Sequence, residues 1–392
     1  ERARMSLYRI VRAAAAAAIG IILTAALYGG LQRLGWRLPE VEAGTRSVHG
    51  ALMVAGFFGA VIGVERAVAL TTGARTRRAR LALTAPLLCV LGALLLVLDP
   101  GSAPGRMALT AGSFALVVVY AVVIWRQPTL FTITMGLGAY ALLIGNARWT
   151  GGASIVAAVP WWIAFLVLTI VGERLELARM IRPTRGRTAL FVAATALYLG
   201  GVAVTLDDLG LGVRLSGAGM LALAAWLWRY DIARRTVRQR GLTRFIAVCL
   251  LAGYAWLGVS GALALVYGFS GAIFAYDAIL HSALLGFVFS MIFGHAPIII
   301  PAVARLAVPY HPRFYTHLAL LHASLILRVG GDLAGSATAR RWGGLGNETA
   351  LVLFLVLLAA AIRSGQRAAR QRAAHPAGLS RATPIGPGAT HP

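Results

Sequence analysis

Lysine is absent from this chain of 392 residues, whose 37 basic residues are all arginine. That absence excludes a Schiff-base chromophore of the retinal kind, a phosphate-loop lysine and any lysine-based catalysis. Cysteine is nearly absent too. Cys89 and Cys249 each stand alone in an apolar stretch with no C-x-x-C partner, and both read as small core residues. Acidic residues number only 13, which leaves a formal net charge of +24. In a soluble protein that charge would point to nucleic acid, so where the arginines lie decides what it means.

Hydrophobic sequence is abundant. Hydrophobic residues make up 59% of the chain and the mean hydropathy is +0.76. Apolar stretches are repeatedly about 20 residues long, enough to cross roughly 30 Å of hydrocarbon as helix, and no soluble domain is hidden among them. Runs bounded by Arg, Pro, Gly and Asp predict about twelve spans, near 9–30, 47–70, 80–98, 106–125, 129–148, 155–176, 187–206, 210–228, 244–267, 273–296, 314–335 and 347–364. The expected fold is therefore all-α: a polytopic membrane protein whose single transmembrane domain covers residues 1–365. The first run follows Arg2, Arg4, Arg9 and Arg12, shows no small-residue cleavage site and is read as a retained helix.

Arginines gather in alternate loops. One set holds Arg75, Arg77, Arg78 and Arg80, then Arg179, Arg182, Arg185 and Arg187, then Arg234, Arg235, Arg238, Arg240 and Arg244, then the tail; the opposite loops carry Glu40, Glu42, Asp99, Asp207 and Asp208. This positive-inside pattern accounts for the charge without nucleic acid, and it places both termini on the cytoplasmic side of a bacterial-type inner membrane. Residues 366–392, rich in Arg, Ala, Pro and Gly, have no apolar period and read as a disordered basic cytoplasmic tail able to touch anionic lipid.

The chain also repeats itself. The second span opens His49-Gly-Ala-Leu-Met and closes Gly63-Val-Glu65-Arg66; the sixth closes Val171-Gly172-Glu173-Arg174; the tenth opens His281-Ser-Ala-Leu-Leu and closes Gly294-His295. Similar text every four spans implies three pseudo-repeats of four helices packed about a central axis. Related spans run in the same direction, which puts His49 and His281 at one depth near the outer face, and Glu65, Glu173 and His295 near the inner one. Ionisable residues inside spans default to paired or functional roles. His49 and His281 are either core histidines donating to backbone carbonyls or two axial ligands of one buried haem b. Gly56, Gly59, Gly63 and Gly286 would give a flat macrocycle room, and also suit close helix packing. Asp277, four residues before His281, lies on the same helical face, where it can orient that ring.

With about twelve spans, a threefold repeat of four helices and histidines in the second and tenth spans, the chain resembles the catalytic subunit of the haem-copper oxidases. It is more closely similar to the NnrS family of membrane haem- and copper-associated proteins. The resemblance implies a low-spin haem held by His49 and His281, its propionates near Arg340 and Arg341 in the loop between the last two spans. It also implies redox or nitric-oxide-related work: electron transfer, gas sensing or nitrosative-stress resistance, with quinol or a small gas as ligand and respiratory or denitrification subunits as partners. Departures accompany it. The sixth span offers Glu173 and no His, the seventh no His at all, so the usual oxygen-reducing centre is not expected, and any enzyme would be an oxidoreductase of another kind. The second span opens Val48-His49-Gly50, not with a double-histidine motif.

A second histidine group comprises His295, His311, His317 and His322, and of these His295, His317 and His322 are a candidate metal site, for copper or a second haem, or a proton path, against a role in capping helices beside the Arg-rich loops. His317 and His322 are five apart, about 140° around a helix, so they do not form a one-faced clip. Glu65-Arg66 and Glu173-Arg174 read as structural ion pairs. Pro297 and Pro301 break the tenth span, a feature also found at transporter sites. The rival reading is a haem-free transporter or a structural subunit of a respiratory complex.

Overall fold

A computed structural model describes residues 2–39, 44–71, 81–177, 184–269 and 274–374, without the side chains of 2–13, 71 and 372–374. The arginines at 75, 77, 78, 80, 179 and 182, the glutamates at 40 and 42, and the tail beyond 374 lie outside these residues. Among the described residues there is helix and no strand. That is what a hydrocarbon surround demands, because a helix satisfies its own backbone polar groups.

The long helices in chain order are α1 (Arg2–Arg33), α2, α3 (Thr84–Leu98), α4 (Ala103–Arg126), α5 (Leu130–Thr150), α6 (Ile155–Leu177), α7 (Arg185–Val204), α8 (Leu209–Tyr230), α9 (Gly241–Tyr267), α10, α11 (Phe314–Leu333) and α12 (Ala337–Ala374). Two of them are compound. α2 runs from His49–Ala51 through a π-helical stretch, Leu52–Phe58, into Gly59–Thr71. α10 runs from Ala275–His281 through a second π-helical stretch, Ser282–Phe289, into Ser290–Ala304. Helix starts carry side-chain caps: Ser102 accepts from Gly105 N at 3.1 Å, Asp208 from Leu211 N at 2.9 Å, and Thr129 forms a capping box with Thr132. α12 continues to Ala374, into the segment expected to be a disordered tail.

Among the described residues, ten of these helices are long and apolar enough to cross a membrane. α3, of 15 residues, is shorter, and α11 is excluded from that set by His317, His322, Arg328 and Asp332. Of the ten, the most enclosed are α6, α10 and α2, with 83%, 67% and 61% of their apolar stretches buried. These are the three helices that the sequence repeat relates. Around them consecutive helices pack in antiparallel pairs, and α1 meets both α2 and α12.

Glycine sets the closest approaches. A Cβ on Gly217 of α8 would lie 2.7 Å from the Gly261 carbonyl oxygen of α9, and one on Gly261 would lie 2.7 Å from that of Gly217. Helices in lipid associate through such small-residue contacts because burial from water does not drive them together. Gly217→Ala is expected to lower stability by about 1–3 kcal/mol, the usual cost of overpacking. Gly200→Ala on α7, where a Cβ meets nothing within 4 Å, is expected to be neutral or stabilising. Thermal unfolding of the two variants in detergent measures the difference.

Candidate functional site

A cavity of about 210 Å³ opens among the ends of α1, α2, α6, α10, α11 and α12. His49 and His281 both line it. Each is followed directly by a π-helical stretch, and such widened turns are frequent at functional sites. The widened turn changes which side chains share a face. On α2 the lining residues are His49, Gly50, Met53, Val54 and Phe58, and on α10 they are Tyr276, Asp277, Leu280, His281, Leu284, Leu285 and Phe289. They recur every four to five positions, whereas in an α-helix His49 and Phe58 would stand about 180° apart.

Both imidazoles are held by their Nδ1. That of His49 lies 2.6 Å from the Ala26 carbonyl oxygen, and that of His281 lies 2.9 Å from the Asp277 carbonyl oxygen and 3.3 Å from the Asp277 carboxylate. A carbonyl partner requires the proton on Nδ1, which leaves Nε2 as a lone-pair donor. Asp277 is thus where the sequence placed it, beside His281, and its carboxylate has further partners. Arg328 donates to both its oxygens, at 3.0 and 3.2 Å, and Arg340 approaches at 3.4 Å. Arg340 also stands 3.2 Å from Asp332, whose side chain is fully buried.

The arginine pair divides. Arg340 lines the cavity, while the Arg341 guanidinium stacks 4.6 Å over Trp36, away from the lining. Arg33 of α1 lines the cavity in its stead, its Nη1 3.5 Å from the Arg46 carbonyl oxygen. Glu348 of α12 also faces the space. A Cβ on Gly30 would lie 2.8 Å from the Glu348 Oε1 and 3.0 Å from the His49 Cε1, so a larger residue there would displace one or both side chains. Sequence reasoning missed Arg33, Arg328, Asp332 and Glu348. Arg328 and Asp332, four apart inside an otherwise apolar stretch, were the available signal. Ser47, Tyr276 and Asn347 aside, the remaining wall is apolar. Trp162, its indole N–H donating to Asn146 at 2.9 Å, stands on α6, and Phe58 and Phe289 close the floor with ring centroids 5.5 Å apart.

The other ends of the same three helices meet in a separate ionic cluster. Arg66 of α2 bonds Glu65 at 3.2 Å and bonds Glu173 of α6. Arg174 binds both oxygens of Asp231, at 2.9 and 3.1 Å, and lies 3.4 Å from the His295 Nε2 of α10. The ion-pair reading of Glu65 and Arg66 holds in the structure, but Glu173 and Arg174 pair with other helices and not with each other.

The histidines grouped as metal candidates do not come together. His295 lies on Arg174; His322 accepts from the Trp256 indole at 3.0 Å; His317 is boxed by the rings of Phe245, Phe293, Phe314 and Phe354. Among the described residues no three His, Cys, Asp or Glu side chains gather as a metal site.

Asp231→Asn leaves the Arg174 guanidinium buried without its carboxylate; side-chain exposures of 4% and 2% make this a fully desolvated pair. The expected loss is about 3–5 kcal/mol in reversible unfolding. Glu65→Gln, at a group 25% exposed whose arginine keeps Glu173, is expected to lose far less by the same measurement.

Comparison with curated proteins and with solved structures finds no match. A family model does match, over residues 12–363, and by that extent the chain belongs to the DUF8744 family, described as a domain of unknown function.

Proposed function

We propose that this chain is a multi-pass membrane protein of redox or nitric-oxide-related function, holding one low-spin b-type haem between His49 and His281. One observation carries the reading: two imidazoles, on helices with related text, each fixed through Nδ1, line one cavity with Nε2 unengaged among the described residues. All twelve long helices cross the bilayer in this reading, in three groups of four as in the haem-copper oxidases, with both termini on the arginine-rich, cytoplasmic side of a bacterial-type inner membrane. The central placing of α2, α6 and α10 supports that arrangement, and so does α11, whose His317, Arg328 and Asp332 are buried against its neighbours.

The donor set fits the group. Two neutral imidazoles suit a six-coordinate iron, and an apolar shaft beneath a charged rim suits a macrocycle with carboxylates at one edge. Held between imidazoles, such a group supplies one-electron exchange. Asp277 would orient His281 and keep its ring proton in place, the Ala26 carbonyl would do the same for His49, and Trp162, Ile163 and Leu285 make the cavity wall apolar. Arg33, Arg328 and Arg340 are the cavity's cations for carboxylates. Of the three, Arg33 is the most available, since Arg328 is already paired with Asp277 and Arg340 with Asp277 and Asp332.

A second reading rests on Glu348 and on size. A carboxylate facing the cavity with no partner among the described residues, in a space of about 210 Å³, suits a smaller cationic solute, and so a haem-free transporter. A reduced-minus-oxidised visible spectrum of the detergent-purified protein separates the two. The haem reading expects a sharp low-spin b-type signal, lost in both His49→Ala and His281→Ala, and haem affinity reduced roughly 10–100-fold in Asp277→Asn. A folded protein that stays colourless after haem reconstitution refutes it.

A further inference from the structure

We infer that the furrow between α7 and α8 is a binding site for an anionic phospholipid of the leaflet on the arginine-rich side. The two helices are antiparallel neighbours, so the start of α7 and the end of α8 meet, bringing Arg185 and Arg229 to one end of the furrow. Small side chains open it: Ala193 and Ala194 on α7 face Ala222 and Ala225 on α8, leaving about 450 Å³ between the helices. A second hollow continues along α7 past Ala193 to Thr188 and Arg185. From Arg185 to Leu197 the lining rises by twelve residue steps of helix, about 18 Å, close to the depth of one leaflet's hydrocarbon.

The end of the furrow is built for an anion. Arg185 and Arg229 are exposed, and neither has a carboxylate within ion-pair distance among the described residues. Tyr230 fixes the neighbourhood: the guanidinium carbons of Arg187 and Arg229 lie 4.9 and 5.3 Å from its ring, and the Arg187 Nη2 donates to its carbonyl at 3.4 Å. The Trp226 indole N–H donates to the Arg187 carbonyl at 2.9 Å, an aromatic anchor of the kind found at membrane interfaces. Free phosphate would meet only the arginines. The apolar furrow leading away from them calls for an acyl chain attached to the same anion, and basic pockets between helices on the cytoplasmic side are known lipid sites.

The experiment measures thermal unfolding of the full chain in neutral detergent during titration with phosphatidylglycerol, phosphatidylcholine or inorganic phosphate. Arg185→Gln/Arg229→Gln and Ala193→Trp are compared with the parent. A ligand of the folded state raises Tm by mass action. The expected result is a rise with phosphatidylglycerol alone. It is abolished by the groove-filling Ala193→Trp, and it requires about thirtyfold more lipid in the double variant, the factor for two arginines near an anionic surface. Equal rises with phosphatidylcholine, a full response in either variant, or a rise reproduced by phosphate alone would overturn the assignment. So would size-exclusion showing that Ala193→Trp splits an oligomer whose stability ignores lipid, since the furrow would then be an interface between copies of the chain.

Discussion

Glu348 apart, charge enters the interior of this bundle in company, because an ion in hydrocarbon without a partner costs several kcal/mol. That constraint decides where α2, α6, α10, α11 and α12 can sit. At one end Asp277 takes two arginines from α11 and the start of α12; at the other Arg66 and Arg174 join α2, α6, α10 and Asp231, the residue just past α8. Between these ends the contacts are apolar or small, and they impose close approach without much direction. The ionic groups supply the direction, since a bidentate pair such as Arg174 with Asp231 tolerates little change in helix register.

The two π-helical stretches have a related effect on the cavity. Each widens its helix just past a histidine, and each turns a further row of side chains toward the same space. Without the widening, Phe58 would not share a face with His49 and the floor would open. Helices α2 and α10 show this feature at the same place and α6 does not. The α6 wall is correspondingly plain, offering Ile155, Val156, Val159, Trp162 and Ile163. The cavity therefore has two donor walls and one apolar wall built from three related helices.

Much of this was readable in the chain. Helix positions followed from runs of hydrophobicity bounded by arginine and proline, and His49, His281 and Asp277 stood out because repeated text and a spacing of four put them at one depth and on one face. The π turns were not readable, since a pattern tested against a period of 3.6 carries no mark of a local widening. Nor was the choice between Arg340 and Arg341: adjacent residues on a helix point about 100° apart, and only the rotation of α12 decides which one faces inward. Arg33 and Glu348 sit on the first and last helices, far apart in sequence, and nothing local shows that those helices close the ring. The grouping of His295, His317 and His322 relied on their sharing a side of the membrane. A helix offers several faces at any depth, and these three use different ones.

The phenylalanines beneath the cavity continue past its floor. Phe289 lies 6.3 Å from Phe293, and Phe293 lies 4.6 Å from Phe354. His49 and Glu65, near the two polar ends of α2, are about 24 Å apart along the helix at 1.5 Å per residue. Phenyl rings carry no lone pairs for a proton to hop along, so these rings themselves offer no relay between the two polar ends. A transmembrane voltage falls mainly across such a dry segment, at about 2.3 kcal/mol per charge per 100 mV. Charge that reaches the cavity from its own end of the bundle does not cross that segment.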